Sequence, residues 1–217
     1  MIVSGPRSDD LELKELFSLE APVVLQGEWG EVQGVASVDV DNVASARTAT
    51  EHLIDQGASR VAVILHAPPV FTAAAARLRG YRQALEARGL SYDERLVHTA
   101  EFTPASGERA MATLLERSPR PEAVFAGSDT VAIGALRAAR LRGLRIPEDL
   151  ALAGFDDIPL AVYVDPPLTT IRLPAYGLGW AAADLLARTI AGEEVRLKRV
   201  VLETELVVRR SSGSATA

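Results

Sequence analysis

Two adjacent acidic residues, Asp156 and Asp157, stand where an apolar segment ends and a loop begins. Residues 150–153 have the composition of a buried strand, and Gly154 marks its exit. Open α/β sheets bind ligands at the carboxyl ends of their strands, so this position suits a binding residue. Paired carboxylates also perform acid–base hydrolysis, but neighbours in an extended loop point in opposite directions. We therefore expect only one of the two to face a ligand.

Arg77 offers the complementary chemistry near the start of an alanine-rich helical segment, residues 73–88. A guanidinium only donates hydrogen bonds and can fork across two vicinal hydroxyls, whereas an ionised aspartate only accepts them. Arg77 and Asp156 together would suit the hydroxyl groups of a sugar. The plain alternative is that Arg77 is a solvated surface charge, an interpretation that we favour only for its neighbour Arg79.

Phe102 and Ser128 are two further candidates, because each lies between a predicted strand and a predicted helix. An exposed aromatic ring at Phe102 can stack on the apolar face of a pyranose, and the alternative is a hydrophobic plug beneath the loop. Ser128 follows the strand at 123–126 through Gly127, so its hydroxyl either caps a helix or contacts a ligand. The next residue, Asp129, is interpreted as structural.

Other site chemistries find little support in the sequence. His52, His66 and His98 are scattered without a carboxylate at metal-ligand spacing, so we interpret them as surface or loop residues and expect no metal and no cofactor. No nucleophile elbow, phosphate-binding loop, zinc-protease motif or dinucleotide fingerprint occurs, which argues against an enzyme. Trp29 is a further candidate to approach the ligand, and Trp180 is expected in the core.

Composition narrows the partners and the compartment. The 217 residues carry a formal net charge of -6 and no cysteine, which argues against a phosphate-neutralising surface, a disulfide framework and a thiolate nucleophile. Neither a membrane-spanning run nor a signal-peptide layout is present, so we expect a cytoplasmic protein without membrane contact.

The elements that must position these residues alternate between β-branched runs and helical patterns, which predicts an α/β fold with mostly parallel sheets flanked by helices. Asp41 is the expected cap of a helix that runs to Gln56. The other central elements are strands at 61–65, 96–98 and 123–126 and helices at 73–88, 105–117 and 128–142.

Several motifs together resemble the effector-binding domain of the lactose-repressor (LacI/GalR) family of bacterial transcriptional regulators. They lie at residues 77–81, 128–129, 145–150, 154–159, 166–171 and 205–209. The resemblance implies two Rossmann-like lobes of the periplasmic-binding-protein type I. We assign residues 1–38 and 174–194 to an N-terminal lobe, residues 39–173 and 195–210 to a C-terminal lobe, and residues 211–217 to a disordered tail. A final strand at 200–208 is expected in the C-terminal lobe.

Compared with the family, the N-terminal lobe is incomplete. The opening strand, helix and second strand are absent, as is the helix-turn-helix headpiece that precedes them. An incomplete sheet exposes unpaired backbone groups and apolar surface, so we expect residues 1–35 to be the least well specified part and a homodimer to form.

The resemblance also implies site roles and a function. Family members contact their effector at the positions of Arg77 and Asp156, and often at those of Phe102 and Ser128. The chain would then bind a small effector, a sugar, between its lobes and allosterically control DNA binding by the missing headpiece. A sugar-binding protein of an uptake system is the alternative, which the segments 154–157 and 166–171 disfavour.

Overall fold

The computed structural model describes residues 1–19, 21–29, 35–193 and 199–213. These residues form two sheets flanked by helices, which confirms the predicted α/β class. In chain order the elements are β1 (Ile2–Ser4), α1 (Leu11–Ser18), β2 (Val24–Gln26), β3 (Ala36–Val40), α2 (Asn42–Asp55), β4 (Val61–Leu65), α3 (Thr72–Ala87), β5 (Val97–Thr99), α4 (Pro104–Leu115), β6 (Ala123–Ala126), α5 (Asp129–Leu141), β7 (Ala151–Asp156), β8 (Thr169–Arg172), α6 (Ala175–Ile190), β9 (Arg199–Leu202) and β10 (Glu205–Val207). Among the described residues no helix has the length and apolar character needed to cross a membrane.

The larger sheet has the strand order β10-β8-β7-β6-β4-β5 and is parallel except for β10. Its central strands are buried on both faces, as expected for a parallel sheet covered by helices. Alternate residues of β4 divide between two cores: Val61, Val63 and Leu65 pack with α2 and α3, whereas Ala62 and Ile64 pack with α4 and α5.

The smaller sheet contains β1, β2, β3 and β9 in that order, all parallel. Helix α6 covers one face with Leu178, Ala182 and Leu185, which recur at helical spacing. This spacing leaves Trp180 on the outside, where it is 63% exposed, so its predicted place in the core is wrong.

The last part of the chain corrects two expectations. Residues 200–208 form two strands rather than one: β9 pairs with β3 in the smaller sheet, and β10 pairs with β8 in the larger. Val200 and Leu202 pack against the core beneath α6, which explains why β9 joins the smaller sheet. The assignment of all of 195–210 to the C-terminal lobe is therefore wrong for β9. The other lobe boundaries stay a prediction.

The predicted disordered tail begins as an ordered turn. Ser211 and Ser212 are buried, and Ser211 Oγ donates to the carbonyl oxygen of Leu152 (2.6 Å) and accepts from the Thr169 amide (2.8 Å). Ser212 Oγ lies 2.7 Å from Thr169 Oγ1 and 2.8 Å from His52 Nε2. These hydroxyls satisfy polar groups of β7 and β8, which is why this segment is fixed. Residues 214–217 of the predicted tail lie outside the described residues.

A second set of contacts joins the loop after β1 to the start of α3. The Ser8 amide donates to the Val70 carbonyl (2.8 Å), and the Thr72 amide donates to the Pro6 carbonyl (3.2 Å). Arg7 forms an antiparallel bridge with Phe71 between these two bonds. We call this contact of residues 6–8 with 70–72 the clasp. It connects the two sheets five positions before Arg77, the first candidate site residue.

Trp29 supports the clasp. Its indole Nε1 donates to the Arg7 carbonyl (2.5 Å), and its ring packs at 5.2 Å from the Phe17 ring. It is buried in a small cluster with Leu13 and Leu25, so the structure gives it a packing role and does not support direct approach to a ligand. Residues 20 and 30–34, within the segment expected to be least well specified, lie outside the described residues.

Candidate functional site

Arg77 is the centre of a polar cluster at the carboxyl edge of the larger sheet. It is only 6% exposed, which excludes the surface-charge alternative, whereas Arg79 is exposed as predicted. Nε donates to Asn42 Oδ1 (3.0 Å), Nη1 donates to the Gly127 carbonyl (2.5 Å), and the guanidinium carbon lies 3.5 Å from the centre of the Phe155 ring. These two bonds hold the group in place, and the other three of its five N–H groups donate to none of the described residues.

Three carboxylates act on this guanidinium. Burial lowers the pKa of Arg77 to about 10, and the negative charges of Asp156, Asp39 and Asp129 oppose that shift. Asp39 is connected to Arg77 through Asn42, because Asn42 Nδ2 donates to Asp39 Oδ1 (3.2 Å) while Asn42 Oδ1 accepts from Arg77. Asp39 Oδ1 also accepts from the Val40 amide (2.8 Å).

Asp156 stands out because its carboxylate forms no hydrogen bond or ion pair with the described residues. Burial raises the pKa of Asp156 to about 7; Arg77 opposes this rise and Asp129 adds to it. The backbone adopts a φ of 113°, which is unusual for a residue with a side chain. The side chain is only partly buried, so its oxygens remain open to a ligand, and a strongly shifted pKa is typical of functional sites. These features fit a side chain that accepts hydrogen bonds from a ligand.

Asp157, in contrast to Asp156, has a structural role. Its side chain is 9% exposed, and its two oxygens pair with Arg172 (2.8 Å) and Arg209 (2.6 Å) rather than with backbone amides. The aspartate pair therefore divides into one engaged and one unengaged carboxylate.

Asp129 and Ser128 are both fully buried at the start of α5. Asp129 accepts from the Ile158 amide (2.9 Å) and from Thr170 Oγ1 (2.6 Å), which gives it the expected structural role. Burial nevertheless raises the pKa of Asp129 to about 6. Ser128 Oγ accepts from the Val131 amide (3.2 Å), so its hydroxyl caps the helix in this structure. Contact between Ser128 and an effector stays a prediction.

Phe102 and His66 form an aromatic pair beside Arg77. Phe102 is 53% exposed with a φ of 56°, which excludes the hydrophobic-plug alternative. Its amide donates to the His66 carbonyl (2.8 Å), and its ring meets the His66 ring edge-on with centroids 5.5 Å apart. His66 is buried, and burial followed by the charge of Arg77 lowers the pKa of its imidazole to about 3.

His66 lies in the loop after β4, as one of the two predicted alternatives, but it is buried rather than at the surface. It follows β4 directly, and a side chain on Gly127 would crowd its imidazole ring, which explains the burial. Its Nδ1 has no hydrogen-bond partner among the described residues. The imidazole stays neutral at physiological pH and supports Phe102 from below.

The sequence reasoning also missed Asp39, Asn42 and Phe155. A weak signal existed, because Asp39 and Asn42 flank the correctly predicted cap Asp41 where a strand ends. A hollow of about 310 Å³ borders Asn42 and Ala76, but neither this hollow nor the larger ones of about 460 Å³ and 510 Å³ are lined by Arg77 or Asp156. Within the described part of the chain, no three acidic or histidine side chains are arranged to hold a metal ion.

Comparison with known proteins adds context to this geometry. Residues 50–212 match the family described as the periplasmic binding protein-like domain. The transcriptional regulator CelR of Thermobifida fusca is 45% identical over 82% of this chain and 52% of its own length. The repressor CytR of Escherichia coli K12 is 36% identical over 98% of this chain and 62% of its length. The chain thus spans about half to three-fifths of these relatives.

Solved structures of related proteins have the same fold as this chain. A CelR–cellobiose complex superimposes with a TM-score of 0.91 at 41% identity, covering 97% of this chain and 64% of that one. A LacI-family regulatory protein from Chloroflexus aggregans gives a TM-score of 0.89 at 34% identity, covering 98% of this chain and 76% of that one.

Proposed function

Because the chain belongs to the periplasmic binding protein-like domain family and is homologous to LacI-family regulators, we propose that it senses a small sugar on behalf of such a regulator. Its relatives are transcriptional regulators rather than enzymes. Since the chain covers only part of their length, DNA contact belongs to a headpiece outside these residues. The sensor acts in the cytoplasm and as a homodimer.

The observation that carries this proposal is the unengaged Asp156 carboxylate beside the fixed Arg77 guanidinium. Sugar hydroxyls both donate and accept, so they can satisfy Asp156 and the three remaining N–H groups of Arg77 at once. The exposed ring of Phe102 offers a flat apolar surface for the C–H face of a pyranose. The related CelR structure is a complex with cellobiose, which makes a glucose-based disaccharide the first ligand to test.

Allosteric control follows from where these residues originate. Asp39 belongs to β3 of the smaller sheet, whereas Asp156 ends β7 of the larger sheet. A ligand that contacts both would stabilise one relative orientation of the sheets. In the dimer, this orientation sets the spacing of the two headpieces and thereby the affinity for operator DNA.

The proposal is tested by calorimetry with cellobiose, monosaccharides, sugar phosphates and nucleosides on the wild type and on Arg77→Ala and Asp156→Ala. Each lost charge-assisted hydrogen bond is worth about 1.5–3 kcal/mol, so we expect binding to weaken by roughly tenfold to a hundredfold. Arg79→Ala is the matched control, because it removes the same side chain from an exposed position of the same helix. Wild-type affinity in both site variants would contradict the assignment.

A further inference from the structure

We propose that this site selects uncharged carbohydrates and rejects acidic ones, such as phosphate esters and uronic acids, and that Asp39 is a residue that sets this preference. The inference rests on the proposed function and narrows its effector class.

The surroundings of Arg77 bring three carboxylates together. The guanidinium stacks on Phe155, and the residue after that ring is Asp156. The residue before it, Gly154, packs so closely on Asp129 that a methyl group there would overlap Asp129 Oδ1. Asp39 approaches from the other sheet through Asn42. An acidic ligand beside Arg77 would therefore lie near one positive charge and the negative charges of Asp156 and Asp39, with the buried Asp129 carboxylate behind them.

The other cations on neighbouring elements are already engaged. Arg172 and Arg209 pair with Asp157, and Arg199 pairs with Glu28. Burial and the charge of Arg77 keep His66 neutral, because they lower its pKa to about 3. Among the described residues of these elements, Arg77 alone is placed to balance a ligand's negative charge, and Asp156 and Asp39 compete for it.

The unengaged polar atoms favour the same class of ligand. Both oxygens of Asp156 and Oδ2 of Asp39 receive no hydrogen bond from the described residues. These acceptors need donors, which sugar hydroxyls supply, whereas phosphate and carboxylate oxygens are acceptors and carry like charge. Burial raises the pKa of both Asp39 and Asp156, and the charge of Arg77 opposes the rise in each, so both ionised carboxylates depend on this one guanidinium.

Asp39 can be neutralised without loss of its hydrogen bonds. In Asp39→Asn, the side-chain oxygen can still accept from the Val40 amide and Asn42, so the substitution removes charge and keeps shape. Asp55→Asn is the matched control, because it removes the same charge at the far end of α2, where Asp55 pairs with Arg88 on the surface.

The experiment compares matched probes by calorimetry at pH 8: cellobiose with cellobiose 6′-phosphate, and glucose with glucose 6-phosphate and glucuronate. A unit charge near a like charge in a partly buried site is worth about a factor of ten, so we expect each acidic probe to bind at least about tenfold more weakly. In Asp39→Asn the ratio of the affinity for the neutral probe to that for the acidic probe should shrink by about threefold or more. In Asp55→Asn this ratio should equal that of the wild type. Added salt should reduce the ratio in the wild type.

The outcomes are separable. Equal or tighter binding of the acidic probes would overturn the inference and leave a sugar sensor in place. If Asp39→Asn folds and keeps the wild-type ratio of affinities for neutral and acidic probes, Asp39 does not set the preference. If that variant does not fold, a wild-type ratio that does not change with salt would contradict the role of charge in the preference. Binding of a nucleoside with no response to any sugar would refute the proposed function itself.

Discussion

We expect effector binding to depend on pH near neutrality, because the carboxylate of Asp156 is unengaged. Burial raises the pKa of Asp156 to about 7, and sugar hydroxyls donate to the ionised form. Lowering the pH from 8 to 6 reduces the ionised fraction by about tenfold, so affinity should fall by about the same factor. Titration calorimetry across this range measures it, and Asp156→Asn should flatten the profile. A wild-type affinity that is constant between pH 6 and 8 would be inconsistent with this role.

The same residue should lower stability in exchange for binding. A carboxyl whose pKa rises from 3.8 to about 7 on folding holds its proton more tightly in the native state. The free energy of unfolding therefore falls as the pH rises from about 4 to 7, and the loss is complete above that range. We expect Asp156→Asn to raise the Tm at pH 8 by about 2–4 °C and to change little at pH 4. Calorimetric scans at pH 4 and pH 8 measure the change in Tm. An equal change at both pH values would show that the substitution acts through packing and not through the charge of Asp156.

His66 and Phe102 should act as a unit on the ligand. The buried imidazole supports the exposed ring, so removing either side chain disorders the same apolar platform. We expect Phe102→Ala and His66→Ala each to weaken sugar binding by about threefold to tenfold, and the double variant to lose little more than either. Additive losses in this double-mutant cycle would show that His66 acts elsewhere, and His66→Phe should restore part of the affinity.

At the scale of elements, two helical glycines should respond oppositely to alanine. Gly134 lies where α5 crosses α4, and a methyl group there would overlap the Pro104 carbonyl oxygen, whereas Gly179 in α6 faces open space. Gly134→Ala should lower the free energy of unfolding by about 1–3 kcal/mol, because two packed helices must separate. Gly179→Ala should raise it by up to about 1 kcal/mol through helix propensity. Denaturant titration of both variants provides the comparison.

The helices could be predicted from sequence because their signals are local. Asp41 caps α2 through the Ala44 amide as expected, and α3 and α5 end within two residues of their predicted ends before Gly89 and Gly143. The division of residues 200–208 between two sheets could not be predicted, because β9 and β10 pair with strands that are distant in the sequence.

Arg77 and Asp156 were identifiable from residue type, spacing and family resemblance, and the structure brings both into one polar cluster. Asp39, Asn42 and His66 were not, because their importance depends on burial and on the crossing between the sheets. Local composition shows only a capped helix start and an isolated histidine at those positions.

For the whole molecule, the clasp should report on ligand binding. It joins the loop after β1 to the start of α3, and Trp29 donates to its central carbonyl. Because the chain contains two tryptophans, Trp180→Phe leaves Trp29 as the single tryptophan, whose emission can be excited selectively over that of the tyrosines. We expect saturating sugar to shift its emission if the sheets change orientation on binding. If the emission does not change at sugar concentrations that calorimetry shows to be saturating, the clasp does not respond to ligand binding.

The two buried serines beyond β10 have a practical consequence for protein engineering. Their hydroxyls complete the hydrogen bonding of β7 and β8, so the packed structure continues beyond the last strand to at least Ser212. A reporter or affinity tag fused directly to Arg210 would leave Thr169 and Leu152 with unpaired polar groups in the interior. Biosensors made from this fold should therefore retain residues 211–213 ahead of any linker.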